Sequence, residues 1–342
     1  PLHGLPLGVK DLQATAGLLT THGNIGLRHH VPAKDTALVA RLRAAGAIVT
    51  AKTNVPDMGA GANTRNPVWG ATGNRFDTRL NAGGSSGGSA AALAADLLPV
   101  CTGSDTGGSL RIPAALCGVV GLRPSPGFVP NDDRPLGWSV ISVLGPMGRT
   151  VADTALLMSA SIGPHPLDPL SHDVDAAAFW PLPDVDLATL RIGYTEDFGL
   201  AIVDPDIRAA FRTRIEALRP HVALCEPWRP DLGDADRVFD VLRAEAFVAA
   251  FAAPSAARPR PWARTCAPTW RWRRPSRWPT ARGRTCSRRA SPAPSRPRSS
   301  ATTSCWRRSR RCRPSRGPSC TPSALTARRC RTTTTGWRSP TW

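Results

Sequence analysis

Between Asp35 and Ala45 the apolar residues Leu38, Val39 and Leu42 fall at the spacing of one helical face. Asp35 is placed to cap such a helix and Gly46 to end it. The next residues, Ala47-Ile48-Val49-Thr50-Ala51, form a short apolar run that predicts a buried strand. A helix feeding an apolar strand after one glycine predicts an α/β layer. Ser86 to Ala95 predicts a second helix, because alanine is the best helix former and lets helices pack closely. Leu97-Leu98-Pro99-Val100-Cys101, Val119-Val120-Gly121-Leu122 and Arg191-Ile192-Gly193-Tyr194 read as strands. Thr150-Val151-Ala152-Asp153 has the form of a capping box that opens a helix to about Ser161. Ile207 to Leu218 and Ala235 to Ala252 read as helices with apolar faces.

The pattern stops near Pro254. Residues 254–342 hold one leucine, Leu325, and no Ile, Val, Met or Phe, against 13 Pro and seven Trp. Such a segment cannot bury enough aliphatic surface to offset chain entropy, so a disordered tail is expected. Charge divides at the same place. The chain carries 44 Lys and Arg against 25 Asp and Glu, a net +19, yet 23 of the arginines lie in residues 254–342, which have no Lys, Asp or Glu. Residues 1–253 are therefore mildly acidic, with 21 basic and 25 acidic residues. Three readings compete for the tail: an arginine-rich arm that binds nucleic acid through phosphate contacts and Trp stacking, an ordinary disordered tail, or an out-of-frame translation of a GC-rich gene. The third accounts best for the excess of Arg, Pro, Ser, Thr, Cys and Trp. Reading the last base of each codon with the first two of the next lets Thr332 to Trp337 become Asp-Asp-Tyr-Tyr-Trp-Leu, a run that can pack as a helix. Sequencing the encoding DNA around the codon for Pro254 separates the three.

Composition also excludes classes. No run of about 18 apolar residues is present, so no membrane helix is expected, and no signal peptide is visible. Cys101, Cys117 and Cys225 are scattered through the body without a disulfide framework, which fits a reducing, cytoplasmic compartment. Cys117, inside an apolar run, reads as a small core residue rather than a reactive thiol. The seven histidines show no ligand spacing, so neither a metal nor another cofactor is expected. The chain starts Pro1-Leu2-His3 without an initiating methionine and reads as a fragment.

The chemistry concentrates in two loops. Gly83-Gly84-Ser85-Ser86-Gly87-Gly88-Ser89 and Gly103-Ser104-Asp105-Thr106-Gly107-Gly108-Ser109 flank the alanine-rich helix, and Gly8-Val9-Lys10-Asp11 lies upstream. Glycine lets backbone N–H groups face a substrate, and serine supplies a hydroxyl that attacks once its proton is taken. Taken singly, these residues have plainer readings: a flexible loop, a solvated lysine, a helix cap. Their joint order resembles the amidase signature family, as do Leu5 to Asp11, Gly103 to Pro124, Val140 to Met147 and Arg149 to Asp153. The resemblance covers roughly residues 1–250, so residues 1–253 are expected to be a partial amidase signature domain. It implies a mixed α/β sheet core covered by helices on both faces.

The resemblance also assigns roles. Ser109 maps to the nucleophile that forms an acyl-enzyme, Ser85 to the bridging serine, which in the family follows a cis peptide bond, and Lys10 to the base. Lys10 must be neutral to act, and burial among Leu5, Leu7, Val9 and Leu12 would lower its pKa. Thr106, Gly107, Gly108 and Ser109 would offer backbone N–H groups to the oxyanion. Ser86, Ser104 and Asp105 read as loop supports, and Arg111 as structural in preference to a substrate-carboxylate clamp. The implied partner is a small-molecule amide, with a homodimer admitted. One branch of the family is the glutamine-hydrolysing component of a tRNA-dependent amidotransferase. It usually has Gln where Ile112 stands, and Ser-Leu-Asp-Gln where this chain has Ser142-Val143-Leu144 before Gly145, so a stand-alone amidase is favoured. A rival outside the family is the Gly-x-Ser-x-Gly elbow of an α/β-hydrolase, with Asp168 and His172 or Asp206 and His221 as partners. An arginine-rich nucleic-acid-binding protein rests wholly on the tail. With family segments missing at the start and a suspect tail, the chain as written is expected not to turn over an amide.

Overall fold

The computed structural model describes residues 1–251. The expected tail therefore lies outside the described residues. Along the chain the elements are β1 (Pro6–Lys10), α1 (Ala37–Ala44), β2 (Ile48–Thr53), β3 (Arg65–Asn66), β4 (Gly70–Ala71), α2 (Gly87–Ala94) and β5 (Val100–Asp105). They continue as α3 (Arg111–Cys117), β6 (Val120–Gly121), β7 (Val143–Gly148), α4 (Val151–Ser161), β8 (Arg191–Tyr194), α5 (Pro205–Leu218), β9 (Leu224–Pro227) and α6 (Ala235–Phe251).

Five strands form the central sheet in the order β2-β1-β5-β7-β6. β1 runs parallel to β2 and β5, while β7 runs antiparallel to β5 and β6. Successive side chains on a strand face opposite ways. Leu7, Val9 and Val100 accordingly pack with Leu38, Val39 and Leu42 of α1 and Leu157 and Met158 of α4. Cys101 and Met147 face the other way, onto Ala90 and Leu93 of α2, Leu110 just before α3 and Ala114 of α3. The architecture is the expected mixed sheet between helical layers. β8, α5 and β9 add a parallel β-α-β unit with its own two-stranded sheet.

Several local expectations change. α1 begins at Ala37, not Asp35, and Thr36 stands at its cap without a side-chain bond. Asp35 instead accepts from the Ala16 N–H at 2.6 Å and pairs with Arg43 at 3.4 Å. The open Ala37 N–H is capped from across the fold by Asp132, at 3.0 Å. β2 is an edge strand, not a buried one: Ile48 is 55% exposed. The run Leu97–Cys101 splits, because Leu97 closes the end of α2 and turns to solvent while the strand starts at Val100. β5 then continues through Gly103-Ser104-Asp105, held by six paired positions on β7. β7 carries Gly145 and Pro146, and all six of its residues are buried. The capping box at Thr150 forms as expected, with both bonds made.

The α1 cap gives a discriminating test. Asp132→Ala should cost about 1 kcal/mol in chemical denaturation, the usual worth of a helix cap. Thr36→Val should cost nothing measurable, because the buried Thr36 hydroxyl has no partner among the described residues. Equal losses would contradict the remote cap.

Candidate active site

β1 and β5 are parallel neighbours, so their carboxyl ends open on the same side of the sheet. Open α/β sheets bind ligands at that edge. Lys10 is the last residue of β1 and Asp105 the last of β5. The Ser85-Ser86 corner lies between them, just before α2. A Cβ on Gly88 would fall on the backbone of Asn54, so glycine there is what lets the first turn of α2 close onto the end of β2. The Gly84–Ser85 peptide is cis.

Lys10 is completely buried. Its Nζ lies 2.8 Å from the Ser85 hydroxyl, 2.7 Å from that of Ser86 and 2.9 Å from that of Ser104, with the Ser104 carbonyl at 3.4 Å. None of these partners is charged. Desolvation therefore dominates and pushes the amine down from 10.5 to about 7, with the Asp105 charge opposing it. The source of burial differs from expectation. Leu7 and Val9 lie on the opposite face of the sheet, in the α1/α4 core, so the two serine loops and the β5 edge enclose the amine.

The second loop is organised by Asp105. Its carboxylate accepts from the N–H groups of Gly108 (2.8 Å) and Leu110 (3.2 Å), from Arg111 at 2.9 and 3.0 Å, and from Arg123 at 3.0 Å. Burial alone would raise its pKa. Arg111, Arg123 and the Gly108 N–H outweigh that and hold it at about 2. Arg111 is thus engaged edge-on with Asp105, as a loop support would be. Gly108 is corrected as an oxyanion donor, since its N–H is committed to Asp105. The N–H groups of Thr106, Gly107 and Ser109 have no backbone partner among the described residues. The Thr106 hydroxyl donates to that of Ser142 at 3.0 Å.

Ser109 is half-buried, two residues before α3. Its carbonyl accepts from the Ser86 N–H at 3.2 Å, which ties the second loop to the first. Its hydroxyl has no hydrogen-bond partner among the described residues. The structure thus brings Lys10, Ser85, Ser86 and Ser104 into direct contact and sets Ser109 beside them through the backbone. Catalytic hydrogen bonds are often open without substrate.

Sequence reasoning missed four contributors. Arg123 is the second cation on Asp105. Gln13 and Thr102 are buried polar residues beneath Lys10. Phe239, on α6, closes over the loop: a Cβ on Gly107 would meet its ring at 2.8 Å. Only Arg123 left a usable signal, in the motif running to Pro124.

The α/β-hydrolase elbow is not formed. The Asp168 carboxylate serves Asn131 N–H (2.8 Å) and Arg134 (3.4 Å), while His172 lies edge-on to Phe128. Asp206 and His221 sit at opposite ends of the 14-residue α5, about 20 Å apart along its axis. Among the described residues no His, Cys, Asp and Glu cluster is fit to hold a metal, and no helix is long and apolar enough to cross a membrane.

Because Asp105 gathers two guanidinium groups and two N–H groups, Asp105→Asn should destabilise the chain by about 3–5 kcal/mol, the range for breaking a buried ion pair. The carboxylate's contribution is present above the ordinary range near 3.8 and is lost as pH falls through about 2. Denaturant titrations at neutral pH check it, and a loss under about 1 kcal/mol would contradict the organising role.

The chain matches the Amidase family over residues 1–282. It is 41% identical over 227 residues to a glutamyl-tRNA(Gln) amidotransferase component from Roseiflexus castenholzii, covering 66% of this chain and 46% of that protein. It is 42% identical over 212 residues to an acylamidase of Rhodococcus erythropolis, covering 61% and 44%. The chain spans about half the length of the curated relatives it matches. Among solved structures it superposes on a bacterial aryl acylamidase of the amidase signature enzymes with TM-score 0.67 at 30% identity, over 73% of this chain and 52% of that one. A peptide amidase from Stenotrophomonas maltophilia gives TM-score 0.60 at 30% identity, over 74% and 53%. With these likenesses in both sequence and fold, the chain belongs to the Amidase family.

Proposed function

We propose that this chain carries the acyl-transfer centre of an amide hydrolase, with Ser109 as nucleophile, Ser85 as proton relay and Lys10 as base. The observation that carries this reading is the buried, uncharged-partner contact of Lys10 Nζ with Ser85 at 2.8 Å. A neutral amine has two N–H donors and one lone pair. The Ser86 hydroxyl is turned toward the Ser104 carbonyl at 3.5 Å and accepts from Lys10. Ser85 and Ser104 remain to give a proton to the lone pair, and the proposed relay is Ser85, whose neighbour Ser86 bonds through its N–H to the Ser109 carbonyl.

In the first step the Ser109 oxygen bonds to the amide carbon while its proton passes to Ser85 and the Ser85 proton passes to Lys10. The carbonyl oxygen becomes an oxyanion facing the open N–H groups of Thr106, Gly107 and Ser109. The C–N bond then breaks, and the proton returns through Ser85 to the leaving nitrogen. Water repeats the sequence to release the acid. Asp105, Ser86, Ser104 and Arg111 hold the loops in place.

A second reading is that of a glutamine-hydrolysing amidotransferase component, favoured by the identity to glutamyl-tRNA(Gln) amidotransferase proteins. Ile112 and Ser142-Val143-Leu144 favour a stand-alone amidase instead. Ammonia release from glutamine compared with release of aryl amine from simple acyl anilides separates the two. A small-molecule amide is the proposed substrate, and the compartment proposed is the cytoplasm.

A fluorophosphonate needs only the catalytic trio, so it reads the centre without a finished substrate pocket. It should label the full chain at Ser109, and Ser109→Ala should abolish the label. Lys10→Ala should slow labelling by at least about a hundredfold, the scale of a lost general base. Since the base must be neutral, the wild-type rate should rise with pH through about 7 and then level. Label persisting in Ser109→Ala, or a Lys10→Ala rate within threefold of wild type, would overturn the assignment.

A further inference from the structure

The β1–β5 ladder is short. It pairs Leu7 with Val100 and Gly8 with Cys101, then stops, whereas β1 stays paired with β2 as far as Lys10 and Thr53. At the point where a third rung would form, the Lys10 N–H leaves the ladder and donates to the side-chain hydroxyl of Thr102, at 2.9 Å. The two strands therefore part at the end where Lys10 stands, and side chains bridge the gap.

The bridge is a closed set of buried polar groups. The Thr102 hydroxyl donates in turn to the Gln13 side-chain oxygen. The Gln13 amide donates back to the Gly103 carbonyl at 3.3 Å. The Gln13 N–H also closes a turn onto the Lys10 carbonyl at 2.9 Å. On the other side the Thr102 carbonyl accepts from Ser89 on α2 at 2.9 Å, and Ser89 shares a second bond with Thr53 at 2.7 Å. Thr102 is 1% exposed and Gln13 3% exposed. Burial of two such groups is costly unless each is satisfied, and here each is. The main-chain atoms of Lys10 are thus clamped by residues that do not touch its amine.

We propose that Gln13 and Thr102 are positioning residues, which hold the end of β1 apart from β5 and so seat Lys10 Nζ on Ser85. This rests on the reading of Lys10 as the base. A buried N–H that leaves the ladder needs another partner, and Thr102 supplies it to Lys10. Without the bridge, β1 can close onto β5 or swing toward solvent, and either motion moves a buried amine whose hydroxyl contacts are all near 2.8 Å. Misplacement of about 1 Å costs on the order of a hundredfold in rate. The charged groups around this clamp are Asp105 at the end of β5, and Lys52 of β2 with Asp11, at 4.0 Å from each other on the far side of Gln13. Lys52 also donates to the Gln13 carbonyl.

The test uses the full chain and fluorophosphonate labelling of Ser109, resolved into probe affinity and maximal rate over a pH series. Thr102→Val keeps the shape and removes the hydroxyl. It should lower the maximal rate about ten- to a hundredfold with probe affinity within about twofold. It should also move the acid limb upward from about 7, because an amine freed from its dry seat regains hydration. Thr102→Ser, which restores the hydroxyl, should return both to near wild type. Gln13→Met removes the bridge from its other end and should shift the acid limb the same way, so the test survives if the valine variant does not fold. Adding Gln13→Met to Thr102→Val should cost little more than either alone, as one clamp predicts. An unchanged acid limb and rate in a folded Thr102→Val or Gln13→Met chain, with Lys10→Ala still inactive, would overturn the positioning role and leave the base assignment intact. A Lys10→Ala chain that labels normally would overturn the base assignment itself.

Discussion

A primary amine sealed from water with only hydroxyl and carbonyl oxygens for company is the constraint on which this site depends. A charged ammonium would need a carboxylate or water in that position. Lys10 has no carboxylate as a direct partner: three serine hydroxyls within 2.9 Å surround it instead. Burial pushes the amine's pKa down to about 7, which is what the proposed role as base in acyl transfer requires. Each element around it can be understood from this need. β1 delivers the lysine, α2 begins where two serines must meet it, and β5 runs on past its apolar half so that Ser104 can join them.

Asp105 is the counterpart, and the two are kept from neutralising each other. Its carboxylate is occupied by Arg111, Arg123 and two backbone N–H groups, so it stays ionised while acting on Lys10 only at a distance. A direct lysine–aspartate pair would have kept the ammonium charged. Through the N–H groups of Gly108 and Leu110, Asp105 also gathers the loop around itself just before α3.

The serine loops and the lysine motif were legible in sequence because their residue types and order are demanding, and the alternation of Leu7 and Val9 with Gly8 and Lys10 is visible once β1 is known. The strand itself was not, since Pro6-Leu7-Gly8-Val9-Lys10 offers two apolar side chains bounded by glycine and proline. β7 hid for the same reason: Gly145 and Pro146 mark turns locally, and only pairing with β5 overrides them. The Asp35 cap failed because Ala16 and Arg43 compete for that carboxylate, and Asp132, 95 residues from Ala37, supplies the bond. Gln13 and Thr102 could not have been found by pattern, because their role exists only where two strands diverge in space. Phe239 likewise meets Gly107 from a helix far along the chain.

The chain contains three lysines, Lys10, Lys34 and Lys52, so nitrogen NMR of lysine side chains labelled at Nζ can follow each amine separately. A pH titration of the folded chain, assigned by loss of one signal in Lys10→Met, measures the central quantity directly. The Lys10 signal should titrate with a midpoint of about 7. A Lys10 midpoint near the ordinary 10.5 would show a charged, solvated ammonium and would contradict the neutral base.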